Sequence, residues 1–283
     1  MNNKFDISVL LPTRGRGQAL GRSIRSLFEL AENPSKIQLI LGFDKDDTAG
    51  LDYWQQELQP WMDQQGHNYI AMKFDPMGYT RLHIYNNKMA SYAQGRWFIL
   101  WNDDAIVETQ GWDTEIMKYG DDFKLLAFRT HQDHPYSIFP IMPRKWYDLI
   151  GYISPHPTQD GWVSQQAYLL NILERIPVWV KHDRYDLTGN NLDETFKGRQ
   201  MLEGKPNDPA DFHHVNQINL RHNDASKIAD YLRNTLGKDM SFWNNIWKGT
   251  QDPWAQLKAN DINGQMVQFA MDKTGHPIGN SIK

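Results

Sequence analysis

Between Ile7 and Trp101 the sequence repeats one pattern: a short, almost uninterrupted apolar run, a polar cluster at its end, then a stretch with helical spacing. The runs are ISVLLP (Ile7–Pro12), KIQLILGF (Lys36–Phe43), YIAMKF (Tyr69–Phe74) and WFILW (Trp97–Trp101). Runs this short and this apolar suit strands that are buried on both faces. Between them, Leu20, Ile24, Leu27, Phe28 and Ala31 line one face of a helix that Asn33-Pro34 stops. Asp52–Gln64 also reads as helical, and so does Tyr79–Gln94, with Leu82, Tyr85, Met89, Tyr92 and Ala93 on one side and Gly95 as its end. Such alternation predicts an α/β chain with a mostly parallel sheet covered on both faces. Ligands of such sheets bind beyond the carboxyl ends of the strands. The polar clusters there are Thr13-Arg14 with Arg16, Asp44 with Asp46, and Asn102-Asp103-Asp104.

The later chain is less regular. Strands are expected at Lys124–Phe128 and Ile176–Val180, an extended segment at Ser137–Pro143, and helices at Lys145–Ile150 and from Asp160 to about Leu173. Arg184–Asn216 is polar and reads as a long loop or small lobe. Ala225, Ile228, Ala229, Leu232 and Leu236 form a last helical stripe before an aromatic-rich tail after Met240. No internal repeat is visible.

Composition narrows the chemistry. The absence of cysteine excludes disulfides, zinc–thiolate sites and thiol catalysis. A net charge of −4 argues against a generally basic nucleic-acid surface, though not against a local basic groove. No apolar stretch approaches the roughly 20 residues that span a bilayer, and the N-terminal run is too short for a signal peptide. A soluble, cytoplasmic protein without membrane insertion is therefore expected. With 11 Trp, 12 Tyr and 12 Phe, aromatic faces are available for core packing or for stacking on sugars and bases.

Asn102-Asp103-Asp104 is either an Asx-rich turn or a site for Mg2+ or Mn2+, hard ions that prefer oxygen ligands and keep water and substrate phosphates in their shell. Its setting favours the ion. The first 105 residues resemble the family 2-type nucleotide-sugar glycosyltransferases of GT-A fold. ISVLLPTRGRGQALGRSIRSL is similar to that family's opening strand, Pro-Thr turn and first helix, with Pro12, Thr13, Arg16, Leu20 and Ser26-Leu27 in register. Asp44 matches the second-strand acid that contacts the donor nucleoside. NNKMASYAQGRWFILWNDDA resembles the helix and strand leading to the Asp-x-Asp motif, with Asn87, Ala93 and Gly95 in register. Two departures stand out: Asn102 replaces the usual first acid, and GFDKDD lacks the usual Asp-Asp-Gly-Ser run.

The resemblance implies a GT-A Rossmann-like three-layer sandwich with a C-terminal helical or irregular extension. It implies a donor half at 1–105, an acceptor half at 106–220 and the extension at 221–283. It further implies a metal-dependent, inverting transfer of sugar from a nucleoside diphosphate sugar, with Mn2+ or Mg2+. Asp104 would bind the metal and Asp103 would lie near the donor ribose or the metal's water shell. Asp160, in Gln159-Asp160-Gly161-Trp162, has the place of the catalytic base; a carboxylate there is also simply a good helix cap. Trp162 either stacks on the acceptor or packs in the core. His182, just past IPVWV, fits the family's histidine metal ligand, with His213-His214 and His222 as rivals. Arg14, Arg16 and Arg81 are candidates for the donor phosphates or a sugar acid, since guanidinium suits bidentate anion contacts.

The acceptor is open: a saccharide, a protein or a hydroxymethylated DNA base. The compact size, lack of cysteine and Asn- and Trp-rich tail are similar to bacteriophage glycosyltransferases, some of which decorate such bases. HHVNQINLRH with Lys197 and Arg199 offers DNA a modest basic groove. A nucleotidyltransferase on a similar sheet is a rival, although TRGRG lacks the lysine of a typical phosphate loop. The other rival is a non-catalytic module that binds carbohydrate or nucleotide. Oligomeric state is not readable.

Overall fold

A computed structural model describes residues 4–131, 137–183, 197–198, 208, 210–241 and 243, and the backbone of 270–271 and 277–278. The expected strands of the first half form β1 (Phe5–Thr13), β2 (Ile37–Asp44), β3 (Asn68–Phe74) and β4 (Gly95–Leu100). They are followed by β5 (Ala105–Val107), β6 (Leu125–Thr130), β7 (Ile141–Pro143) and β8 (Leu173–His182). These make one eight-stranded sheet in the order β3-β2-β1-β4-β7-β6-β8-β5. β1 to β4 are parallel. β7 runs against both β4 and β6, so β6 recovers the direction of β4, and β8 is parallel to β6. The carboxyl ends of β1, β2, β4 and β8 therefore share one edge. β5 closes the sheet antiparallel to β8.

Alternation along the central strands sends side chains into a core on each face. Ile7, Val9 and Leu11 of β1 pack with α1 (Gly17–Glu29), with the helical stretch α2 (Thr48–Tyr53) to α3 (Gln59–Gln64), and with Trp112 and Ile116 of a short helix before β6. Leu10 of β1 faces the other core, with α4 (Leu82–Ala90), α6 (Arg144–Ile150), α7 (Gln159–Leu169) and α8 (Val215–Asn234); the short helix is α5 (Trp112–Met117). The result is the expected three-layer sandwich. Among the described residues no helix is long and apolar enough to cross a membrane. Gly95 allows the tight seam between β1 and β4, because a Cβ there would lie 2.4 Å from the Ser8 backbone nitrogen.

Several boundaries differ from expectation for local reasons. The helix expected from Asp52 begins at Thr48, because Asp47 caps it by accepting the Gly50 N–H at 3.0 Å, and its middle, Trp54–Leu58, is π-helical. Tyr79–Arg81 is a 3-10 turn after Gly78 (φ 71°), so α4 proper spans Leu82–Ala90. α7 stops at Leu169, well before Leu173, because Asn171 (φ 55°) turns the chain into β8. β8 exceeds IPVWV, since Leu173–Arg175 pair with Leu125–Ala127. Of Ser137–Pro143 only Ile141–Pro143 is strand. α8 starts at Val215, with His214 capping it through Nδ1, so the division expected at 220 falls within one helix. Arg199, most of the polar lobe and nearly all of the tail lie outside the described residues.

Candidate active site

The chain leaves β4 through Trp101, whose N–H donates to Leu10 O (2.9 Å) and whose buried indole N–H donates to Ser23 Oγ (2.8 Å). Ser23 Oγ in turn donates to Asn102 O at 3.2 Å. The loop that follows is thus fastened to β1 and α1 before it presents its acids. Asn102 is exposed, and its carbonyl rather than its side chain makes these contacts.

Asp103 points inward and is buried. Its Oδ2 accepts the Thr13 hydroxyl at 2.7 Å and its Oδ1 accepts Arg16 Nη1 at 3.1 Å. Burial pushes the Asp103 carboxyl up to about 6, and Asp104 adds to the rise, while Arg16 and Thr13 favour the carboxylate. Asp104 Oδ2 lies 3.4 Å from the same Arg16 nitrogen. Its Oδ1 is buried without a hydrogen bond among the described residues, 3.3 Å from His182 Nε2.

Strand register brings Asp104 and His182 together. Asp104 immediately precedes β5, and Ala105 pairs with His182 across the antiparallel β5–β8 ladder. The Asp183 N–H extends the ladder by donating to Asp104 O at 2.8 Å. His182, at the end of β8, thereby reaches the same sheet edge as the acids that follow β4.

At the neighbouring strand ends a second cluster forms. Asp44 is buried; its Oδ2 accepts Arg14 Nη1 at 2.8 Å and its Oδ1 accepts the Tyr85 hydroxyl. Burial, then the bond to Asp44, raises the Tyr85 hydroxyl to about 12, so it stays a donor. Arg14 also holds Asp46, at 2.5 and 3.1 Å. Gly15, at φ +71°, presents its N–H to Asp47 Oδ2 at 2.8 Å, tying the TRGRG loop to the start of α2. Pro12 pairs with Gly42 between β1 and β2, one residue before this edge.

The remaining candidates divide. Asp160 is half-buried in the first turn of α7. Because α7 packs back on β6 and β8 and turns into β8 at Asn171, that first turn stands toward the edge where β8 ends. Asn87 works on backbone: its Oδ1 accepts the Ile153 N–H at 2.8 Å and its Nδ2 donates to Ser154 O at 2.7 Å, holding the loop ahead of α7. Arg81 is exposed at the start of α4. Trp162 is fully buried, against Phe212 and Arg221, so it packs in the core and is not open to an acceptor. His214 caps α8, His213 lies edge-on to Phe212 and His222 is buried in α8, so none replaces His182 beside Asp104.

Among the described residues no group of three or more His, Asp or Glu side chains converges as a metal cage. Asp104 Oδ1 and His182 Nε2 do suit one divalent ion: they are an oxygen and a nitrogen 3.3 Å apart. Neighbouring ligands of an octahedral ion at about 2.1 Å are roughly 3 Å apart. An acceptor atom buried without a hydrogen-bond partner is also costly unless something else engages it. The other positions of such an ion would go to water and a diphosphate.

No family model matches the chain, and no curated protein matches it in sequence. Solved structures do. A mannosyltransferase from Pyrobaculum calidifontis, in complex with GDP-Man and Mn2+, superposes with a TM-score of 0.54 at 8% identity, over 93% of this chain and 89% of its own. GalNAc-T7 with UDP, GalNAc and Mn2+ gives 0.50 at 11% identity, over 64% of this chain and 44% of its own. The chain has the GT-A glycosyltransferase fold. Within the GT-A fold, Asp103 and Asp104 stand at the carboxyl end of β4, and Asp44 at that of β2. Sequence reasoning missed Tyr85, because nothing in the helical spacing of α4 indicates which side chain meets Asp44. It also missed that Arg16 binds both acids.

Proposed function

We propose that this chain is a metal-dependent, inverting glycosyltransferase that moves a sugar from a nucleoside diphosphate sugar to an acceptor hydroxyl. The observation that carries this reading is the convergence of Asp104 and His182 beside the buried Asp103, at the ligand-binding edge of a GT-A sheet. Two structures of this fold, each holding a nucleotide or nucleotide sugar together with Mn2+, support it.

In this reading Asp104 and His182 hold Mn2+ or Mg2+, which when bound neutralises charge developing on the leaving diphosphate. Asp103, pinned by Thr13, faces the donor ribose or the water around the ion. Pro12, Thr13, Arg14 and Asp44 form the nucleoside side, with Tyr85 orienting Asp44. Arg16 and Arg81 serve the phosphates, and Asn87 acts through the 153–154 loop. Asp160 takes the proton of the acceptor hydroxyl as it attacks the anomeric carbon opposite the diphosphate. We take residues 1–105 as the donor half, 106–220 as the acceptor half and 221–283 as the extension, the last two joined through the continuous helix α8.

The test is hydrolysis of a panel of nucleotide sugars with Mn2+ in the absence of acceptor. Asp104→Ala is expected to lower the rate at least about a hundredfold, a loss typical of removing one preorganised electrostatic group. Unchanged hydrolysis in Asp104→Ala, or no thermal shift with any nucleotide sugar with or without Mn2+, would overturn the reading. The acceptor is a saccharide, a protein or a hydroxymethylated DNA base. A gel shift on modified DNA that weakens steeply with salt would single out DNA, and mass spectrometry of glycosylated products would identify the others.

A further inference from the structure

Arg16 reaches both acids of the β4 loop at once, with Nη1 3.1 Å from Asp103 Oδ1 and 3.4 Å from Asp104 Oδ2. The contact is mostly withdrawn from solvent: the side chains of Arg16, Asp103 and Asp104 are 17%, 8% and 13% exposed. Charges in such a place are weakly screened. The guanidinium therefore holds the same carboxylate whose other oxygen faces His182 Nε2, at the position a divalent ion would take.

Formal charge shows the consequence. Taken by themselves, the Asp103 and Asp104 carboxylates and the Arg16 guanidinium form a group with one net negative charge. A divalent ion alone would make it net positive and set the ion against the guanidinium. An ion together with a diphosphate diester, which carries about two negative charges, restores the original balance. The Arg16 backbone is fixed, since its carbonyl accepts the Leu20 N–H at 2.9 Å at the start of α1, so side-chain rotation suffices to re-aim the guanidinium. A planar fork with five donors can also keep one partner while turning to a phosphate.

We propose that Arg16 is a built-in counter-ion that makes divalent-ion binding depend on the donor nucleotide. Without donor, it clamps Asp103 and Asp104 and opposes the ion. The diphosphate draws the guanidinium away and frees Asp104 to bind. Arg16 is thus a positioning residue that sets the order of assembly, and the assignment rests on the metal-dependent reading of this site. By linkage, the ion must strengthen nucleotide binding by the same factor.

The experiment is a titration of the full-length protein with Mn2+, read by the EPR signal of free Mn2+, alone and with saturating UDP or GDP, corrected for Mn2+ bound by free nucleotide. Wild-type protein is expected to bind Mn2+ about tenfold or more tightly with the nucleotide that fits. Arg16→Gln is expected to bind Mn2+ alone about tenfold more tightly than wild type and to gain correspondingly less from nucleotide, keeping only the coupling that direct ligation of the ion by the diphosphate supplies. Arg16→Lys, which keeps the charge, is expected to remain weak for Mn2+ alone. Equal Mn2+ affinity with and without nucleotide in wild type overturns the proposal without recourse to any variant. So does a folded Arg16→Gln protein that binds Mn2+ alone no better than wild type. Asp104→Ala separates the two levels of failure: if it binds Mn2+ like wild type, the metal site itself is wrong; if it loses Mn2+ while Arg16→Gln gains nothing, only the role of Arg16 falls.

Discussion

Asp103 and His182 at the sheet edge match Asp224 and His156 among the helices in residue type, yet their surroundings differ. In the helical block, both oxygens of the fully buried Asp224 accept the Tyr152 hydroxyl, at 3.0 and 2.8 Å. His156 uses both ring nitrogens, Nδ1 accepting the Thr158 N–H at 3.1 Å and Nε2 bonding Ala210 O at 2.9 Å. Arg221 donates to Phe212 O at 2.9 Å and lies over the Phe212 and Trp162 rings. These bonds tie α7, α8 and the loop before α7 to one another. At the sheet edge, by contrast, two acids share one arginine, and among the described residues Asp104 Oδ1 and His182 Nδ1 are buried without hydrogen bonds. Satisfied polar groups fasten elements together; groups left short of partners at a ligand-binding edge are poised for something that arrives later. Gln159 Oε1, the Trp146 indole N–H and both amides of Gln165 and Gln166 depart from this division, since among the described residues they are buried in the helical block without partners and nothing in the structure explains them.

The sharpest way to break the contrast is to cut into each region and measure stability. Trp162→Ala is expected to cost about 3–5 kcal/mol in urea unfolding, because it empties a fully buried indole site beneath Arg221. Asp104→Ala, which removes a partly exposed acid from a crowded pair, should change stability by less than about 1 kcal/mol. Comparable losses in the two variants would show that the sheet edge is as structural as the helical block.

Asp160 lies in the first turn of α7, at the end of the helical block nearest the edge where β8 ends. Asp160→Asn is expected to slow sugar transfer about a hundredfold or more, equivalent to roughly 2.7 kcal/mol. Nucleotide affinity and melting temperature should hold, since asparagine is as good near a helix N-terminus. Initial rates with a competent acceptor, set beside a nucleotide titration, make the check. A parallel fall in binding and rate would leave Asp160 only a structural role in the first turn of α7.

How far these assignments were legible depended on length and direction. The four parallel strands were plain because each is an almost uninterrupted apolar run ending in polar residues, which also exposed Thr13, Asp44 and Asp103-Asp104. β5, three residues long, is too short to display a period, yet its register with β8 delivers His182 to Asp104. His182 could therefore be named as a candidate while the reason for its position stayed hidden. The place of Trp162 was undecidable because a nearly all-buried α7 has no polar face to orient it. Arg16 reads as a phosphate ligand in the chain; only tertiary packing of α1 against the β4 loop turns it onto the two acids.

Acid pH pulls the two regions in opposite directions, which makes the last test a difference measurement. Burial is the main cause holding the His156 imidazole down at about 4, against an ordinary value near 6.5. The unfolded chain thus takes up a proton at this residue before the native protein does, and stability contributed here is lost as pH falls from about 6.5 toward 4. Asp103, raised to about 6, acts with the reverse sign: the metal-free native state takes up that proton first, so acidification favours folding. A stability curve of the wild type alone would blend the two. His156→Gln retains an amide donor for Ala210 O but cannot titrate. The difference between wild-type and His156→Gln unfolding free energies, measured in EDTA, should change by up to about 1.4 kcal/mol per pH unit across that window. It should be flat above pH 7. A flat difference throughout would mean that the block admits a proton at His156 without opening, and that its polar groups are less tightly committed than their hydrogen bonds indicate.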